Sequence, residues 1–186
     1  MALPTFSAGN RITAANLTAL TTALTNLTPV HARKPTDESV SSGTTGTTMQ
    51  DDNDLFVALR ANTSYEIDLD LLYNEATGTG IDLKAGWSFP TGCTLDLADA
   101  GAHVNWTGVA SALEVEWAAW QNITTSPSAT ITFGSNTSVF SMRAHGRINV
   151  GSTSGNLQFR WAQNTSAVGN LTVKAGSLLI AKPLSL

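Results

Sequence analysis

From Asp54 onward apolar and polar residues alternate with period two, as in Tyr65-Glu66-Ile67-Asp68-Leu69-Asp70-Leu71 and Leu113-Glu114-Val115-Glu116-Trp117. That period predicts strands with one face buried and the other in water. Further strands are predicted over 55–60, 81–89, 94–97, 103–106, 129–133, 139–150, 157–163, 171–174 and 177–182, with turn signals such as Pro90-Thr91-Gly92 between them. No helical period interrupts this series. The prediction is therefore an all-β, jelly-roll-like antiparallel β-sandwich over residues 54–186, preceded by a short N-terminal helix and an extended arm.

The first 29 residues follow another rule. After a turn-rich lead that includes Phe6, Thr13 is placed to cap a helix ending near Leu27, and Pro29 closes it. Leu17, Leu20, Leu24 and Leu27 line one stripe of that helix, as the a and d positions of a short coiled coil would. The Thr and Asn residues between them are weak helix formers, so a helix of about fifteen residues needs a neighbour to persist. Packing on its own domain would meet that need, and so would packing on symmetry mates or a host particle. Residues 1–29 thus read as an anchor. Residues 30–53, rich in Ser, Thr, Gly and Pro, read as a linker or arm with too few large apolar groups for a core of its own.

Composition narrows the partners. Charged residues make up 13% of the chain, about half the usual share, and the net charge is −4 with no basic block. Nucleic acid is therefore not an expected partner. No apolar run reaches the ~18 residues of a membrane span, and Met1 to Asn10 carries neither a basic stretch nor an apolar one, so synthesis in the host cytoplasm and no membrane association are expected. Cys93 is the only cysteine and forms no intrachain disulfide; it reads as a small residue at a strand start.

Candidate chemistry is sparse. His31, His103 and His145 stand in no zinc-binding spacing and read as structural. Asp51-Asp52-Asn53-Asp54 loosely resembles the start of a calcium loop but lacks the Gly at its sixth position and the Glu at its twelfth, so it reads as a solvated turn; an ion near Asp51 at a subunit interface is the alternative. Asp68, Asp70, Glu114 and Glu116 are the carboxylates a glycoside-cleaving site would need, yet their alternation with apolar residues marks them as the wet face of strands. No Gly-x-Ser-x-Gly elbow occurs. No catalytic residue, cofactor or metal is assigned. Trp117 and Trp161 keep the phase of buried neighbours, whereas Trp120 falls out of phase and is the candidate exposed contact.

The opening Phe6-Ser7-Ala8-Gly9-Asn10-Arg11-Ile12-Thr13-Ala14-Ala15-Asn16-Leu17 resembles the lead of virion proteins of tailed actinobacterial phages. Gly155-Asn156-Leu157-Gln158-Phe159-Arg160-Trp161-Ala162-Gln163-Asn164-Thr165-Ser166 and Lys174-Ala175-Gly176-Ser177-Leu178-Leu179 look like the C-terminal domains of phage fibre and capsid decoration proteins. The resemblance implies a trimer related in shape to the jelly rolls of the tumour-necrosis-factor and complement type, and it carries over no functional residues.

The expectation is a non-enzymatic virion protein, a homotrimeric capsid decoration or head-fibre protein whose partners are phage capsid or tail proteins. Phe6, Leu17, Leu20, Leu24 and Leu27 would make the oligomer or particle contact. One alternative is a tail-associated receptor-binding module working through loops at 74–80, 97–101 and 122–127. Another is an enzyme acting on cell-wall carbohydrate.

Overall fold

The computed structural model describes residues 9, 11–41, 47–76, 81–102, 121–123, 130–135, 137–166 and 168–184. Among the described residues one helix, α1 (Ala14–Leu27), precedes twelve strands: β1 (Val30–Arg33), β2 (Glu38–Val40), β3 (Gln50–Leu59), β4 (Ser64–Glu75), β5 (Leu83–Ser88), β6 (Thr94–Ala102), β7 (Gln121–Ile123), β8 (Thr130–Phe133), β9 (Phe140–Asn149), β10 (Gly155–Gln163), β11 (Leu171–Val173) and β12 (Leu178–Pro183). All strand pairs are antiparallel.

The pairing is nested. β1 lies against β12, β3 against β10, β4 against β9 and β5 against β8, so the chain is one long hairpin rolled over on itself. Rolling sends successive strands to alternate layers from β3 to β6 and again from β8 to β11, one layer ordered β1-β12-β4-β9-β6-β7 and the other β3-β10-β5-β8. This is the jelly-roll form of the β-sandwich. β11 pairs with the last part of β4, past the stretch that β12 covers, and β2 lies on β11 at the edge of that layer.

Alternation along the strands builds the core. On β4, Tyr65, Ile67, Leu69, Leu71 and Tyr73 point inward, and on β9 Phe140, Met142, Ala144 and Ile148 do. They meet Leu55, Val57 and Leu59 of β3 and Leu157, Phe159 and Trp161 of β10, all in one apolar cluster. Trp87 and Phe159 pack edge to face at 5.4 Å between centroids. Burial pushes the Tyr73 phenol well above its ordinary range, and its hydroxyl donates to the Gly134 carbonyl at 2.9 Å. Gly146 of β9 stands opposite Leu97 of β6, where a Cβ would come within 2.0 Å of the Asp96 carbonyl oxygen; only glycine admits that approach.

Residues 30–53, expected as a linker or arm, instead supply β1, β2 and the start of β3. Their backbone groups find partners about 130 to 150 residues away, Val30 opposite Ala181 and Val40 opposite Leu171. Few apolar side chains are needed when β12 and β11 already present an edge to be paired. The receptor loop expected at 97–101 is also strand, since those residues pair with β9 from Gly146 to Met142.

Candidate assembly site and the charged clusters

α1 begins where expected. The Thr13 hydroxyl accepts from the Asn16 amide at 3.2 Å while the Asn16 side chain accepts from the Thr13 amide at 3.2 Å, which closes a reciprocal cap. Thr18, Thr21, Thr25 and Thr28 turn their hydroxyls back onto carbonyls four residues earlier, so these polar groups are satisfied by the helix itself. At the other end Arg60, in the β3–β4 turn, donates to the Thr25 carbonyl at 3.2 Å and to the Asn26 carbonyl at 2.5 Å, and also holds the Asn26 side chain. A guanidinium on the last carbonyls complements the negative end of the helix dipole.

The helix rests on its domain through small and polar residues. Ala23 is buried, and Asn16, Ala19, Leu20 and Asn26 are half-buried on the same side. Leu17, Leu24 and Leu27 are rotated away, 58%, 59% and 47% exposed, and Ile12 ahead of the helix is 71% exposed. The predicted leucine stripe is therefore divided: Leu20 leans on the domain and the other three stand in water. Phe6 and Trp120, the remaining predicted contacts, lie outside the described residues, as do His103, Trp106, Glu114, Trp117 and Glu116. Of the loops expected to be distal, 77–80 and 124–127 also lie outside them.

The outer face of the first layer is a ladder of ion pairs. Arg143 of β9 grips Asp70 of β4 with two nitrogens. One rung along, Asp68 accepts from Lys182 Nζ at 2.6 Å and contacts His145 Nδ1 at 2.6 Å. Burial alone would raise the Asp68 carboxyl, but the hydrogen bonds from Lys182 and His145 outweigh it and hold it below the ordinary carboxylate range. Beside this rung lies a surface depression of about 410 Å³ lined by Glu66, Asp96, His145, Gly146, Arg147 and Leu184. Asp68 and Asp70 thus serve cross-strand pairing, and His31 is exposed on β1. Trp87, Trp161 and Cys93 are in the core.

A second cluster is hidden. Lys34 is fully buried directly after β1, with Nζ 2.9 Å from both Oδ1 and Oδ2 of Asp52, 2.5 Å from Glu38 Oε2 and 3.2 Å from Asp54 Oδ2. Burial favours a neutral amine, but the carboxylates of Glu38, Asp52 and Asp54 prevail and raise its pKa above the ordinary value. Asp52 Oδ1 also accepts from the amides of Asp54 at 3.0 Å and Leu55 at 2.9 Å. The acidic run expected as a solvated turn is therefore the first half of β3, with Asp52 buried. Two groups, Glu38/Asp52/Asp54 and Glu66/Asp68/His145, bring ligand atoms within 4.8 Å of one another. In each, a lysine ammonium of the chain already occupies the carboxylates.

The fold and its exposed helix define a jelly-roll domain carrying a laterally attached apolar helix. No protein-family model and no curated protein sequence matches the chain. Among solved structures it is similar to the tripod from the baseplate of bacteriophage Tuc2009, with 10% identity, 98% of each chain covered and a TM-score of 0.30. It is also similar to a structure of infectious bursal disease virus, Gx strain, with 12% identity, 84% of this chain and 40% of that one covered and a TM-score of 0.21. Likenesses this distant add nothing to the functional reading.

Proposed function

We propose that the chain is a non-enzymatic structural protein of a phage virion, a homotrimeric capsid decoration or head-fibre protein attached through α1 and the residues before it, with the β-sandwich projecting. One observation carries this reading: Leu17, Leu24 and Leu27 face water while the same helix is held to its domain by Ala23 and by Arg60. A row of leucines on a marginal helix is costly to leave wet, and three such rows about an axis would cover one another. The N-terminal and C-terminal sequence resemblances to virion proteins supply the setting. Charged residues make up only 13% of the chain, which suits a wet, repeated interface whose strength varies little with salt.

Deletion tests the attachment. Removing residues 1–28 takes away α1 but leaves β1 and its pairing with β12 intact, so the shortened chain should fold, lose its threefold mass in solution and no longer decorate particles. Retained trimers and retained particle binding would refute the anchor. A tail-associated receptor-binding role uses the same fold, and the copy number per particle separates the two: hundreds for decoration, a handful for the tail.

A further inference from the structure

We propose that Lys34 and Asp52 form an intramolecular isopeptide bond, with Glu38 as the proton carrier, locking the segment after β1 onto β3. This is independent of any virion role. Three features of the buried cluster lead to it. The amine nitrogen stands 2.9 Å from both oxygens of one carboxyl group, in a bidentate ion pair that holds the two reacting groups in contact, and both side chains are fully buried. The two oxygens differ: Oδ1 takes two backbone N–H groups, from Asp54 and Leu55, whereas Oδ2 has only the lysine. Glu38 Oε2 touches the same nitrogen at 2.5 Å.

These positions divide the labour of amide formation. The ammonium passes one proton to Glu38 along the existing hydrogen bond, and Glu38 delivers it to Asp52 Oδ2. The neutral amine then adds to Cγ, and the negative charge gathers on Oδ1, where the Asp54 and Leu55 amides stabilise it as an oxyanion hole does. When the intermediate collapses, the Cγ–Oδ2 bond breaks and Oδ2 leaves as water, taking a second proton from the nitrogen through Glu38. One ammonium and one carboxylate become one amide and one water, so no oxidant or external reactant is consumed. Fixed proximity supplies the entropy that an intermolecular reaction would lack. Burial adds a driving force, because an amide costs far less to keep from water than two opposite charges do.

Asp54, at 3.2 Å and with a side chain 29% exposed, steadies the amine without competing as acceptor, since it lacks the burial and the paired amides of Asp52. The bond would sit at the end of β1 farthest from α1, so tension entering through the helix could unzip β1 from β12 but would be stopped at Lys34 and passed directly to β3.

The test is the intact mass of the purified full chain under denaturing conditions. A mass one water below that of the sequence, with a branched proteolytic fragment joining Lys34 to Asp52, is expected. The Glu38→Gln variant, its fold checked by thermal unfolding, should keep the full sequence mass because an amide cannot relay the proton. Wild-type protein at full sequence mass after prolonged incubation would overturn the proposal, as would a cross-link mapped to Asp54. A Glu38→Gln chain that still loses water would overturn the role given to Glu38.

Discussion

Replacing Leu17 and Leu24 together by Asp separates assembly from folding. Each leucine leaves more than half of its side chain in water within one chain, and Leu27 nearly half. Complete burial of a leucine is worth about 1.5–3 kcal/mol, so covering what these three expose would contribute roughly 2.5–5 kcal/mol per helix in an assembly. The part already covered is smaller, and the double variant should destabilise the isolated domain by no more than about 2.5 kcal/mol. Sedimentation equilibrium should therefore show the proposed trimer in the wild type and monomer in the double variant, while urea unfolding of the β-sandwich, followed by Trp fluorescence, shifts little. Unchanged mass together with unchanged particle occupancy would refute the leucine row as a contact. Collapse of the domain itself would show that the helix is part of the core.

Other perturbations probe the supports of the fold. Lys34→Met leaves the buried Asp52 carboxylate without the amine that holds it as an ion pair or takes it up as an amide, and should cost at least about 3–5 kcal/mol in chemical denaturation, far more than a surface ion pair. Arg60→Ala removes the hydrogen bonds to the Thr25 and Asn26 carbonyls, and amide exchange at 25–28 should rise with a loss of about 1–3 kcal/mol in local stability. Gly146→Ala forces β6 from β9 and should lower the thermal midpoint, at a cost of about 1–3 kcal/mol. Because the Asp68 carboxyl is held below its unfolded value, its contribution to stability is present above about pH 4 and fades as the pH falls through the folded value. An NMR titration should show that carboxyl moving upward in Lys182→Met, and no movement would mean that the pairing is not formed in solution.

The long strands were legible because burial on one face imprints period two on the residues themselves. β4 and β9 alternate over their whole length, and Trp161 falls on the buried side as its phase requires. The Thr13 cap and the end of α1 were legible for the same local reason, since both depend on neighbours within four residues. β1 and β2 were not. Val30-His31-Ala32-Arg33 and Glu38-Ser39-Val40 have little pattern, and they are strands only because β12 and β11 lie beside them. Asp52 was misjudged for a related reason: next to Asp51 and Asp54 it looks solvated, and nothing nearby announces that Lys34 arrives from eighteen residues away to bury it. The one available signal was Lys34 itself, which with Arg33 is the last cation before the acidic run. The division of the leucine stripe likewise depends on where Ala23 and Arg60 dock, which no helical periodicity encodes.

The rolled hairpin brings Val30 opposite Ala181, so the chain enters the sandwich from α1 and departs toward Leu184 at one pole, whereas β6 ends at Ala102 beside Ser141 at the other. Cargo fused after Leu184 would be crowded against the surface that α1 grips. Cargo carried at that second pole, beside Ser141, would point away from α1, which makes it the natural end of this scaffold for displaying a foreign peptide.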